Sequence, residues 1–182
     1  MISQTNWEFI GTNTSLFGET GINVPRSLTN PQRNSFFKYY DLLMVRWYIN
    51  MASGNDTLYL VHGFNLLGSS WHSRIFRYVP GSTTPSQLNS LNSGFCPLFH
   101  SATSGGWAGE IYINNRPHKL TGERMFAGIT YSVNNAGSTP QIQMISGSTV
   151  YATPFLNVSI NTQSATALGT GSIMTVYGAN LL

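Results

Sequence analysis

The stretch YYDLLMVRWYIN, residues 39–50, decides the fold of this chain. Its apolar side chains Leu43, Val45, Trp47 and Ile49 fall on every second residue, with side chains of mixed character between them. Successive side chains of a β-strand point to opposite faces of a sheet, so a period of two predicts a strand with one buried face. Trp47 belongs to the apolar row, and we therefore expect its indole to lie in the core.

The same alternation recurs along the rest of the chain. Clusters of Gly, Asn and Pro separate the runs, and no stretch has a convincing helical period. Residues 54–56 supply turn chemistry between the first strand and the next run, which predicts a hairpin. Eight or nine short antiparallel strands of this kind predict an all-β sandwich or barrel. The runs are residues 7–10, 39–50, 57–65, 71–79, 106–114, 124–133, 141–146, 153–161 and 172–182.

Two segments depart from this pattern. Residues 1–37 are polar and contain Pro25 and Pro31. We predict that they form an N-terminal arm or an edge strand before a β-sandwich domain of residues 38–182. Residues 81–106 form a long polar insert, and connections of that length in compact domains are usually functional or contain a short strand.

The composition limits the classes of protein to which the chain can belong. Of its 182 residues 41% are hydrophobic and 8% are charged, which excludes a disordered chain because disorder needs low hydrophobicity and high charge. Nine Lys and Arg stand against six acids and no three basic residues are adjacent, so we expect no nucleic-acid partner. Polar residues follow Met1 and no long apolar run occurs, so we expect a soluble chain with no secretory signal and no membrane partner.

Side chains that could carry chemistry are few. The carboxylates are Glu8, Glu19, Asp41, Asp56, Glu110 and Glu123. A glycosidase needs two of them across a bond, and Asp41 with Glu110 is the pair to test. The four histidines lack metal-ligand spacing, and Cys96 lies in an apolar island typical of a small buried side chain. We expect no enzyme activity, no catalytic residue, no metal site and no cofactor.

Aromatic side chains are the remaining candidates for binding. Aromatic faces stack on sugar rings, and Asn, Ser and Thr side chains can bond to sugar hydroxyls. The alternative is that the aromatic residues belong to the core or to a subunit interface, and for Trp71 and Trp107, which flank loops, both interpretations stand. The candidate contacts to a partner or a glycan are Trp71, His72, Trp107 and Tyr112.

Several short motifs resemble the β-sandwich proteins of tailed-bacteriophage particles. Tyr40-Asp41-Leu42-Leu43 resembles the tyrosine-aspartate-x-leucine motif that opens a strand in that family, and Phe64-Asn65 resembles the pair that ends another. The segment 171–178 resembles the closing glycine-serine-x-x-x-leucine-tyrosine-glycine motif. Val176 stands where leucine is usual, and Leu66-Leu67 replaces the usual glycine-aspartate.

The resemblance covers residues 39–178 and implies a jelly-roll sandwich that forms a homotrimer in a virion assembled in the host cytoplasm. The partners it implies are copies of the chain itself, the major capsid protein or other virion proteins. The first interpretation is a capsid decoration (cement) protein that stabilises the head by bridging capsid subunits. The alternative is a tail-fibre or tail-tip receptor-binding protein that binds a host glycan through loop aromatics and the insert 81–106. Neither role implies a catalytic residue.

Overall fold

The computed structural model describes residues 6–16, 18–24, 39–51, 56–62, 70–78, 81, 83–93, 96–102, 105–116, 122–133, 141–150 and 157–181. The regular structure of this part of the chain consists of twelve β-strands. The strands are β1 (Glu8–Thr14), β2 (Gly21–Val24), β3 (Leu42–Met51), β4 (Asp56–His62), β5 (Ser70–Tyr78), β6 (Ser86–Ser93), β7 (Cys96–Ala102), β8 (Gly105–Asn114), β9 (Glu123–Val133), β10 (Ile142–Val150), β11 (Val158–Thr162) and β12 (Ile173–Ala179).

The strands form two antiparallel sheets. The large sheet has eight strands in the order β1-β12-β3-β8-β9-β10-β5-β6, and the small sheet has four in the order β2-β11-β4-β7. Apolar side chains from both sheets meet in one buried cluster, which contains Leu43 and Ile111 of the large sheet and Leu60 and Ile160 of the small sheet. The predicted all-β sandwich is confirmed, and its finer assignment to the jelly-roll type stays a prediction.

Strand β3 lies inside the large sheet, between β12 and β8. Leu43, Val45, Trp47 and Ile49 are all buried against the small sheet, as their period of two predicts. The expected core position of Trp47 is confirmed, because its side chain is 4% exposed and belongs to the buried cluster.

The predicted hairpin between β3 and β4 is wrong. Strand β3 pairs with β12 and β8 in the large sheet, whereas β4 pairs with β11 and β7 in the small sheet. Both strands have an apolar side, and the chain buries the two sides against each other across the sandwich instead of pairing the strands edge to edge. Residues 54 and 55 of the predicted turn lie outside the described part of the chain.

The predicted count of eight or nine strands is too low, because polar segments also enter the sheets. Within residues 81–106, β6 pairs with β5 at one edge of the large sheet, and β7 pairs with β4 in the small sheet. An edge strand can be held by hydrogen bonds to one neighbour and needs no apolar face. The sequence SQLNSLNS of β6 therefore shows no alternation of apolar and polar residues from which a strand could be predicted. Strand β7 does reach the core, since its Leu98 is fully buried.

Residues 1–37 contribute two edge strands. Strand β1 pairs with β12 at the edge of the large sheet, and β2 pairs with β11 at the edge of the small sheet. Ile22 and Val24 of β2 are buried in the core cluster. The described part of this segment is therefore integrated into both sheets, and residues 25–37 lie outside the described part of the chain.

Candidate interaction surface

The side of the large sheet that points away from the small sheet, called the outer face below, is largely apolar. In β9 the side chains of Arg124, Phe126 and Thr130 are buried, while Met125 and Ile129, on the opposite side, are exposed. The same alternation holds in the neighbouring strands, so the exposed apolar residues share one face. They are Phe9, Tyr48, Phe76, Tyr78, Tyr112, Met125, Ile129, Tyr131, Ile142, Met144 and Ile173.

The strand register places these side chains in continuous rows across the sheet. One row contains Ile173, Tyr48, Ala108, Tyr131, Ile142 and Tyr78, from β12 to β5. The next row contains Ile129, Met144 and Phe76. Directly opposed side chains of antiparallel strands contact one another, so the exposed apolar groups form one connected surface rather than scattered single residues.

Charged groups interrupt the outer face at its middle. Arg46 Nε lies 3.0 Å from a carboxylate oxygen of Glu110, and the Tyr112 hydroxyl donates to the other oxygen at 3.0 Å. The hydrogen bond and the charge of Glu110 raise the pKa of Arg46. Burial, and then the hydrogen bond to Glu110, raise the pKa of Tyr112, which keeps its hydroxyl a proton donor at neutral pH. The three side chains satisfy one another within one chain.

Trp7, just before β1, and Phe9 of β1 add aromatic contacts at one corner of the outer face. The rings of Trp7 and Tyr112 meet edge to face with centroids 5.9 Å apart, and those of Phe9 and Tyr177 with centroids 6.0 Å apart. Such pairs add to the stabilisation from buried area. Met44 opposes both Tyr112 and Tyr177, and is only 6% exposed although it lies outside the core cluster.

A groove of about 790 Å³ opens beside Tyr112, and we call it the corner groove. Small residues of β9 and β10, among them Ala127, Ser146 and Ser148, leave it open between larger neighbours. Its described lining contains His72, Arg74 and Asn114 but no carboxylate, with Tyr112 and Met125 as the large apolar members. The fold thus brings together His72 and Tyr112, two of the four predicted contact residues.

A second depression, the central hollow, has a volume of about 420 Å³. Arg46, Glu110, Ile129 and Tyr131 line it, together with the buried residues Trp47 and Gly109. A Cβ atom on Gly109 would lie 2.5 Å from Cζ2 of Trp47, so only glycine leaves room for the indole here. Within the described structure, Nε1 of Trp47 is buried without a hydrogen-bond partner.

The structure corrects the prediction that Trp107 contacts a ligand. The ring is 1% exposed in the core cluster, so it presents no face on which a sugar could stack. Trp107 precedes Ile111 and Ile113 on the inner side of β8, where all three point toward the small sheet. Trp71 lies in β5, where it pairs with Thr149, but its side chain is outside the described part of the structure.

The two carboxylates considered for catalysis lie apart and serve different purposes. Asp41 is buried and accepts hydrogen bonds from the Arg116 guanidinium and, at 2.8 Å, from the backbone N–H of Leu181. Its backbone carbonyl accepts from the N–H of Asn115, which follows the end of β8 and lies five residues after Glu110. Five extended residues place the two carboxylates on the order of 16 Å apart. Asp41 therefore ties the segment after β12 to the sheet, whereas Glu110 pairs with Arg46.

The histidines and the cysteine were the other side chains considered for chemistry, and they form no metal site among the described residues. The described residues contain no cluster of three His, Cys, Asp or Glu side chains that could hold a metal ion. His118 lies outside the described residues, as do the side chains of His62, His100 and Cys96.

The outer face itself was missed at the sequence level, although one signal was present. The side of β3 that contains Leu42, Met44, Arg46 and Tyr48 is mixed rather than polar, and sides of that kind recur in β5, β9 and β10. Only the sheet order shows that these sides are neighbours.

Comparisons with known proteins found no match. No protein-family model, no curated protein and no solved structure matches the chain. In the part of the chain that the structure describes, no helix is long and apolar enough to cross a membrane.

Proposed function

We propose that this chain is a structural protein of a tailed-bacteriophage particle, a capsid decoration protein that acts as a homotrimer and bridges capsid subunits. The observation that carries the proposal is the connected apolar outer face of the large sheet. Monomeric soluble proteins rarely expose apolar patches of this extent, and such patches mark contacts with other macromolecules. A protein that works in a shell covers such a face with its neighbours.

The charge composition supports the same proposal. Interface cores are depleted in Lys, Glu and Asp and enriched in Tyr, Phe, Met and Arg. Only 8% of the residues are charged, and tyrosine, isoleucine and methionine predominate on the outer face. The proposed location is the virion, after assembly in the host cytoplasm, with the major capsid protein as the partner.

The test is binding to capsids. Purified chain is mixed with expanded empty capsids that lack it, and unbound protein is removed by sedimentation. We expect the chain to sediment with the capsids and to raise their melting temperature by a few degrees, because a ligand that binds only the assembled state stabilises it. The measurement is differential scanning calorimetry of the capsids.

The control is the same capsids incubated with an unrelated β-sandwich protein of similar size. If the capsid melting temperature does not change and labelled antibodies find the chain on tails, decoration of the head is contradicted.

A second candidate function, receptor binding at the tail, is favoured by the corner groove. Its described lining combines the Tyr112 ring with hydroxyl, amide and guanidinium groups, which is a set that binds sugars. This function requires an assembly that leaves the groove open to solvent.

The receptor-binding candidate predicts that Tyr112→Ala weakens binding to a host glycan. We expect a loss of roughly tenfold in affinity on a glycan array, because a stacking ring is removed. Tyr39→Ala is the matched control, since Tyr39 is an exposed tyrosine outside the groove. Absence of glycan binding by the unmodified chain, or an equal loss in both variants, contradicts this function.

A further inference from the structure

The exposed area of the outer face matches the requirement of a stable protein interface. The eleven apolar residues of the face are between 36% and 62% exposed. With roughly 200 Å² of surface for each side chain, their exposed area is on the order of 1,000 Å². The largest patch on a typical monomer is roughly 300–600 Å², whereas a stable complex buries about 800 Å² on each partner.

The charges of the face fit a second copy of the same chain. The full chain has a net charge of +3, but Arg46 and Glu110 neutralise each other at the middle of the face. Arg74 also lies on this face, but in the corner groove and away from the pair. At the middle of the face, Arg46 of one copy can approach Glu110 of another.

The central hollow is an independent indication of a covering partner. It offers about 420 Å³ beside the ion pair, enough for a side chain to enter. A side chain of a neighbouring copy can fill this space, which one chain alone leaves open.

We infer that copies of this chain associate through the outer face of the large sheet, with the Arg46–Glu110 pair at the middle of the interface. The inference rests on the proposed function, because it names the partner that covers the same face. In the proposed homotrimer the outer faces meet around the threefold axis, so the rows of Tyr, Ile and Met side chains on neighbouring copies interdigitate.

The first test measures association of the purified chain by analytical ultracentrifugation. We expect a mass that is a multiple of the 20.0 kDa of one chain. Met144→Lys is expected to weaken association at least about 100-fold, because it buries a lone charge in the interface. Met144 is 60% exposed between Ile129 and Phe76, so the folded chain tolerates lysine there.

Leu16→Lys is the matched control, since Leu16 is an apolar side chain 54% exposed outside the strands of the outer face. It should associate like the unmodified chain. If circular dichroism shows that Met144→Lys does not fold, Tyr131→Ser replaces it. A monomeric unmodified chain, or association unchanged in the outer-face variant, overturns the inference.

The second test separates a copy of the chain from a different partner. Arg46→Glu places two carboxylates side by side and is expected to weaken association at least about tenfold. The double variant Arg46→Glu/Glu110→Arg reverses the pair in every copy at once, so its association should return to within about threefold of the unmodified chain. Failure of the double variant to recover overturns the placement of this pair at a self-interface.

The inference and the proposed function can fail separately. A chain that stays monomeric yet binds capsids and raises their melting temperature overturns the inference and keeps the proposed function. If the chain associates through the outer face but does not bind capsids, the inference stands and the decoration role is overturned.

Discussion

Replacement of Trp107 by alanine is expected to lower the free energy of unfolding by about 3–5 kcal/mol. The ring is 1% exposed and belongs to the buried cluster between the two sheets. Truncation to alanine removes the transfer free energy of the indole and leaves a cavity that the surrounding strands cannot fill completely. Urea denaturation followed by circular dichroism measures the loss. The stability of an oligomer depends on its concentration, so both proteins carry Met144→Lys.

Tyr39→Ala serves as the control, because Tyr39 is 61% exposed and its truncation should change stability by less than about 1 kcal/mol. The result also decides between the two interpretations of Trp107. A variant that keeps its stability but loses binding to a glycan would contradict the core position. A destabilised variant agrees with the core position.

The strand at residues 39–50 could be predicted because its signal is local. Alternation between apolar and other side chains is a property of neighbouring residues, and β3 keeps it over the row from Leu43 to Ile49. The partners of the strand are not local. Strand β3 pairs with β12, more than 120 residues away, and with β8, about 60 residues away, although β4 follows it at once in sequence.

The hairpin prediction failed for this reason. A turn sequence indicates that the chain reverses, but not whether the next strand lies beside the first or across the sandwich from it. Both arrangements bury the same apolar residues, so the burial pattern of β3 and β4 does not distinguish them. Polar edge strands such as β6 escape prediction because hydrogen bonds to one neighbour hold them without an apolar face.

The candidate site was predicted only in part. His72 and Tyr112 were singled out as aromatic or polar residues, and the register of β5, β10, β9 and β8 brings them to one groove. Trp107 is an aromatic residue of the type that binds sugars. Its side chain, however, lies on the inner side of β8, opposite to the side that contains Tyr112. Which side of β8 faces the small sheet follows from packing, and one residue of shift exchanges the two sides.

Strand packing on the inner side of the large sheet also depends on glycines that no sequence pattern distinguishes from turn glycines. Gly128 and Gly147 lie in neighbouring strands, and each would place a Cβ within 2.5 Å of a backbone carbonyl oxygen. The Phe126 ring fills the space over Gly147, since its Cζ lies 2.6 Å from the position of that Cβ. Close approach of β8 to β9 at Gly128, and of β5 to β10 at Gly147, therefore requires residues with no side chain.

Gly147→Ala is accordingly expected to lower the free energy of unfolding by about 3 kcal/mol or more. The added methyl group would lie 1.9 Å from the backbone carbonyl oxygen of His72, which is held in the ladder between β5 and β10. Neither that backbone nor the buried Phe126 ring can move away without breaking the pairing that forms the corner groove. Gly11→Ala is the control, because the nearest atom there is a side-chain methyl of Val24 at 3.2 Å, and its effect should stay below about 1 kcal/mol. Urea denaturation of both variants in the Met144→Lys background gives the comparison, and equal stability of the two would contradict the close approach of β5 and β10.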